Sequence, residues 1–322
     1  MTTGRPICDN EQTGIAAAPT HRVSLVSAAV PAAASSGKIP EMLPFVDPPL
    51  SPAAYDFLAA LVYDRSRIRL GPDKQSLVAG RLGRRIQTLG CSSFEDYCRL
   101  LASPEGSEEI GDLIDLISTN HTQFFREAAH FDILGQRVLP ELARTAIAAG
   151  RDVRVWSAAA ASGEEAYSLA IALAEFARSR PGFAWTVHAS DISRRMLDRC
   201  RMGIYESEKV VLPAHDLLPR YFQRGHGERE GFYRVKPDLR RLVSVEHVNL
   251  FQNSYPLPRG LDVIFCRNVM IYFDVDSRRE LVERLYEQLA PGGHLFVGHS
   301  ESLLGLRHRF KTAWPGVYVR PS

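Results

Sequence analysis

At 322 residues, 45% hydrophobic and 24% charged, the chain has the composition of an ordinary globular protein and the length of about two domains. A formal net charge of +2 excludes a general nucleic-acid footprint, so an electrostatic partner has to be met by a local patch. The five cysteines, Cys8, Cys91, Cys98, Cys200 and Cys266, are scattered, with no CxxC pair and no histidines at metal spacing, which points to a reducing compartment and no metal site.

Residues 1–50 are rich in Ala, Pro, Ser, Thr and Gly and carry no sustained hydrophobic period, so they read as a flexible tail. Within them, 23–34 is mildly apolar but broken by Ser24, Ser27 and Pro31, which argues against an export signal. No apolar run in the chain reaches the roughly 18 residues of a membrane span. The expectation is a cytoplasmic protein without membrane insertion.

From Ser51 the pattern turns helical. Ser51 caps and Pro52 begins a helix with Phe57, Leu58, Leu61 and Val62 at helical spacing. A second helix is predicted over 72–89, with Val78, Leu82, Ile86 and Leu89 on one stripe and Lys74, Arg81, Arg84 and Arg85 beside it. That basic face is either a solvated arginine surface or a dock for an acidic partner helix. Helices near 93–101 and 107–117 complete a small all-helical domain over 51–125.

After a helix over 128–149 the pattern alternates strand and helix: strands at 153–157, 185–189, 242–248, 261–266 and 294–298, helices at 164–180 and 277–289. Such alternation predicts a doubly wound α/β domain with a mainly parallel sheet over 126–322. The charged, glycine-punctuated stretch 202–241 fits poorly and reads as an inserted subdomain with short antiparallel strands around 232–235.

Ligands bind at the carboxyl ends of such strands. The first strand leads through small residues into Ser162, Gly163, Glu164 and Glu165. Two carboxylates at a helix start would repel phosphate and suit a cationic ligand. Asp191, after the second strand, is placed to accept ribose hydroxyls. A nucleoside with a sulfonium and an amino-acid tail, S-adenosylmethionine, satisfies both. At the domain junction, 118–127 gathers Asn120, Thr122 and Arg126 around Phe124 and Phe125, and the segment after the fourth strand, 261–266, carries Arg267, Asn268 and Tyr272.

These motifs together resemble the chemotaxis receptor (protein-glutamate) O-methyltransferase family: Thr-Asn-x-Thr-x-Phe-Phe-Arg-Glu at 119–127, Ser-Gly-Glu-Glu at 162–165, Ala-Ser-Asp-Ile at 189–192, Val-Asn-Leu at 248–250, Cys-Arg-Asn-Val-Met-Ile-Tyr-Phe at 266–273 and Gly-His-Ser-Glu at 298–301. The resemblance covers residues 55 to 322. It implies that Asn120, Thr122, Arg126 and Glu165 hold the methionine part of S-adenosylmethionine, Asp191 the ribose, Asn249 and Leu250 the adenine edge, and Arg267 and Asn268 the remaining cofactor surface. Arg126 and Tyr272 would be catalytic, with Tyr272 near the transferred methyl. The insertion would be the family's β-subdomain, which in some members docks a receptor's C-terminal peptide.

The chain departs from the family at Ala161, Ser162 and Ala166, where a Ser or Cys, a Thr and a Pro are usual, and slightly altered cofactor affinity is expected. Methyl transfer to a carboxylate already ionised at neutral pH needs no general base, so His299 is read as shaping a loop. The acceptor would be a glutamate on a chemoreceptor's cytoplasmic helix, docked on Arg81, Arg84 and Arg85, with S-adenosylhomocysteine as product and the enzyme acting as a monomer. Two alternatives stay open: a signalling module that binds the cofactor without turnover, and a methyltransferase acting on another signalling protein.

Overall fold

The computed structural model describes residues 49–322, which belong to a single compact unit; the tail expected over 1–50 lies outside them but for its last two residues. Four helices come first: α1 (Pro52–Ser66), α2 (Gln75–Thr88), α3 (Phe94–Ala102) and α4 (Glu109–Ile117). Ser51 caps α1 by accepting the Ala54 N–H, and Ser93 caps α3 through the Asp96 N–H. Leu58, Val62, Val78, Leu82, Ile86, Phe94, Tyr97 and Leu113 close a separate core. The second helix starts later than expected, because Pro72–Lys74 forms a 3-10 turn, and Leu89, at its carboxyl end, is exposed instead of completing the stripe.

The arginine face of α2 is not an open surface. Arg85 donates through Nε and a terminal nitrogen to the buried carboxylate of Glu109, which also accepts the Tyr97 hydroxyl. Arg81 donates to the carbonyls of Ile117 and Ser118 at the end of α4, which have no partner within the helix. Arg84 alone of the three is exposed.

The expected helix over 128–149 is three pieces, α5 (Ala128–Ile133), a π-helical turn over Leu134–Val138 and α6 (Leu139–Ala148). β1 (Val153–Ala158), α7 (Glu164–Ala177), β2 (Trp185–Asp191) and α8 (Arg194–Met202) follow. The insertion is a three-stranded antiparallel sheet, β3 (Ile204–Glu206), β4 (Phe222–Arg224) and β5 (Phe232–Val235) in the order β3-β5-β4, with the short helices α9 (Leu217–Tyr221) and α10 (Pro237–Arg240). Then come β6 (Val243–His247), β7 (Leu261–Cys266), α11 (Val275–Gln288), β8 (Leu289–Phe296), β9 (Lys311–Trp314) and β10 (Val317–Val319).

The main sheet has seven strands in the order β6-β2-β1-β7-β8-β10-β9, parallel from β6 to β8 and antiparallel for the last two. The chain runs outward from β1 through β2 to β6 and then returns to place β7 on the other side of β1. That reversal opens a crevice at the carboxyl ends of β1, β2 and β7. α8 and the closing β9–β10 hairpin have no counterpart among the expected elements.

Removing Arg85 strands a carboxylate that is only 7% exposed. Arg85→Ala is expected to lower unfolding stability by roughly 2 kcal/mol in urea titration; an unchanged midpoint would return Arg85 to the solvent-facing surface.

Candidate active site

The crevice is bounded on one side by the helical segment and on the other by the sheet. Ser66 at the end of α1, Ile68, Arg69 and Leu70 after it, and Ile117 and Ser118 at the end of α4, face Ala159, Ala161, Asp191, Leu250 and Asn268 across about 1190 Å³ of space, its open mouth included. Asn120, Thr122, Arg126, Glu165, Asp191, Asn249, Leu250, Arg267, Asn268 and Tyr272 all line it. Residues far apart in sequence thus converge on one cleft, whereas Arg81, Arg84 and Arg85 do not line it.

Each wall is set by local chemistry. Gly163 starts α7 at φ 98°, and a Cβ there would meet the Cys200 Sγ at 2.5 Å, so only glycine fits. Glu165, in the first turn, accepts from the Ser157 hydroxyl at 2.7 Å and from Arg267 Nε at 2.8 Å. Asp191 takes the Ala161 N–H on one carboxylate oxygen at 2.8 Å and the Ser193 N–H on the other at 2.9 Å. Each oxygen keeps a lone pair for a ligand, and burial pushes the carboxyl above its usual range. Ala161 acts through its backbone, so the missing hydroxyl there takes no bond from Asp191. Asn249 accepts the Phe251 N–H and donates to the Arg65 carbonyl at 2.6 Å, tying the loop after β6 to the end of α1.

Arg267, 4% exposed, is the most connected group. Besides Glu165, it donates to the Arg126 carbonyl at 2.8 Å and to a Glu127 carboxylate oxygen at 3.3 Å, and it lies over the rings of Phe131 and Phe265 at 5.7 and 5.2 Å. The two residues flanking Arg126, Phe125 and Glu127, have φ of 50° and 58°. Arg126 itself donates to the His121 carbonyl at 3.1 Å.

Three side chains beyond the expected site residues support it. Glu127 also accepts from Asn268 Nδ2 at 3.2 Å and from the His299 N–H, which places His299 beside the loop and outside the cleft lining. Glu301, buried, accepts the N–H groups of Asn268, Gly298 and Ile271 and so clamps the turn that presents Asn268 and Tyr272. It stands in the Gly-His-Ser-Glu motif, the one sequence signal that marks it. His130 is buried with Nδ1 3.1 Å from Arg267. Glu127, His130 and His299 bring potential metal ligands within 4.8 Å of one another, but the Arg267 cation already occupies that neighbourhood and would repel a metal ion.

Comparison with known proteins decides the family. The family model described as "CheR methyltransferase, SAM binding domain" matches residues 120–318, and "CheR methyltransferase, all-alpha domain" matches 53–118. The chain belongs to the CheR methyltransferase family. It is 42% identical to the chemotaxis protein methyltransferase of Escherichia coli strain K12 over 84% of this chain and 91% of that one, and 40% identical to that of Salmonella typhimurium over the same shares. It is 38% identical to chemotaxis protein methyltransferase 2 of Pseudomonas aeruginosa over 80% of this chain and 89% of that one. As a member of this family it is an S-adenosylmethionine-dependent methyltransferase of chemotaxis. Among the described residues no helix is long and apolar enough to cross a membrane.

Burial, and next the Arg267 guanidinium, push the His130 imidazole down to about 4 from an ordinary 6.5. The unfolded chain therefore takes up a proton near pH 6.5 that the folded chain refuses until about 4, so stability falls on acidification across that window. The measured unfolding free energy should drop more steeply between those pH values in the native protein than in His130→Gln; parallel curves would contradict this.

Proposed function

We propose that this enzyme esterifies glutamate side chains on the cytoplasmic helices of bacterial chemoreceptors. The observation that carries the reading is the convergence of ten separately positioned residues on one cleft at the carboxyl ends of β1, β2 and β7, in a chain of the CheR methyltransferase family. The cleft fits S-adenosylmethionine chemically: Asp191, with Glu165 held beside it by Arg267, would meet a cationic nucleoside, and small Ala159 and Ala161 leave room beside them. When bound, the cofactor supplies an electrophilic methyl group on a sulfonium.

The chain's own groups then have defined tasks. Asn120, Thr122, Arg126 and Glu165 hold the amino-acid tail, Asp191 the ribose, and Asn249 and Leu250 the adenine edge. Arg267 and Asn268 form the wall behind, and Tyr272 borders the reacting end. Because the acceptor carboxylate is ionised at neutral pH, no residue has to remove a proton. Alignment and exclusion of water are what these side chains contribute. S-adenosylhomocysteine is the released product.

In this reading the enzyme works in the cytoplasm as a monomer, with Arg84 as the part of the α2 face still free to meet an acidic receptor helix. The position of β3 and β4 as the edge strands of the inserted sheet supports docking of a receptor's C-terminal peptide by strand addition.

The test is transfer of labelled methyl from S-adenosylmethionine to receptor-bearing membranes, with Asn120→Ala as control. Asn120 is preferable to Asp191, whose loss would also free the Ala161 and Ser193 N–H groups. Base-labile label on the receptor, with cofactor Kd raised on the order of tenfold in the variant, is expected. Tight cofactor binding without label on any receptor would mark a non-catalytic signalling module or a different acceptor.

A further inference from the structure

A second depression lies against the cofactor cleft, and the two share a wall: Ser118, Asn120, His121 and Thr122 line both. The far side of this groove is formed by α8 and by Lys209 in the turn after β3. Arg195 and Arg199 stand four residues apart on α8 and so project from one helix face. Both are exposed, and neither has an ion-pair partner among the described residues. Their neighbour Arg201 is already paired with Asp198. Lys209, exposed at the rim, shares its charge with Glu206 at 3.0 Å.

One carboxylate faces this charge from the floor. Glu164 is the acid that lines the groove; it is buried, accepts the Ser162 hydroxyl at 2.7 Å, and burial raises its pKa. Arg81 reaches the same groove from α2 while holding the Ile117 and Ser118 carbonyls. The wall separating groove from cleft is therefore anchored by one arginine and faced by two others that form no ion pair among the described residues.

We propose that this groove receives an acidic segment of the acceptor protein flanking the esterified glutamate, with Arg195 and Arg199 as the principal specificity determinants. The inference rests on the proposed esterification of protein carboxylates and moves the main electrostatic dock from α2 to α8. A segment lying in the groove runs along the wall of Ser118, Asn120, His121 and Thr122 that it shares with the cleft, which keeps the residues flanking the reacting carboxylate next to the cofactor site. Two unpaired arginines there attract such a segment, raise its rate of encounter and fix its register, and the attraction weakens with salt.

The experiment compares Arg195→Glu/Arg199→Glu with Arg84→Glu, using a chemoreceptor cytoplasmic fragment bearing the methylated glutamates. Binding of the fragment to cofactor-free enzyme is followed by fluorescence anisotropy at low and high salt, and methyl transfer by label incorporation. The double variant should raise Kd and KM for the fragment on the order of tenfold and flatten their salt dependence, with cofactor Kd within about twofold of native. Arg84→Glu should change them less. If charge reversal unfolds the protein, Arg195→Gln/Arg199→Gln is read the same way and should give a smaller loss in the same direction. Native fragment binding and KM in the α8 variants, with normal transfer by the native enzyme, overturn the groove alone. Absence of transfer by the native enzyme overturns the esterification reading and the groove with it.

Discussion

A buried guanidinium has to be surrounded by acceptors, and Arg267 meets that demand by joining segments with no adjacency in sequence. It leaves the carboxyl end of β7, binds Glu165 in the first turn of α7, and holds the Arg126 carbonyl and Glu127 carboxylate of the segment that leads out of the helical domain. The start of α7 and the segment leading out of the helical domain are thus referenced to one planar group whose fork geometry a lysine could not reproduce. Glu165 is oriented twice over, by Arg267 and by Ser157, and its helix start is fixed by Gly163.

This network also accounts for where the backbone is strained. The non-glycine residues at positive φ among the described residues are Arg67, Phe125, Glu127, Ala159, Ala161 and Asn268. Ala159, Ala161 and Asn268 line the cleft, and the others lie one residue from a lining side chain. Each such conformation costs on the order of 1–3 kcal/mol and persists only where surrounding contacts over-determine it. Here they are visible: Arg267 on the Arg126 carbonyl, Asp191 on the Ala161 N–H, Glu301 on the Asn268 N–H. The strain places polar groups of the strand-end loops around a common space, which a relaxed strand-to-helix turn would not do.

Much of this was legible in the sequence. Apolar strands such as Leu261–Cys266, buried throughout, and the period of α2 are strong local signals, and the strand-end rule turns them into a site. What escaped depends on distant partners. A stripe of arginines on a helix reads as a surface, yet Arg85 meets Glu109 and Arg81 meets the carbonyls of Ile117 and Ser118, contacts no spacing rule reports. α8 is rich in arginine and buries few residues, and β9 and β10 are short strands held by pairing instead of by hydrophobic period. Glu301 and Glu127 act on backbone N–H groups far along the chain, so their motif was visible while their task was not.

The account stands most directly on Arg267. A calorimetric titration of S-adenosylhomocysteine into Arg267→Lys should show Kd raised by at least about tenfold, with a native circular dichroism spectrum, because a point charge cannot hold Glu165 and the Arg126–Glu127 turn together. Native affinity in that variant would mean that the cleft keeps its shape without the guanidinium, and would contradict the central role assigned to it here.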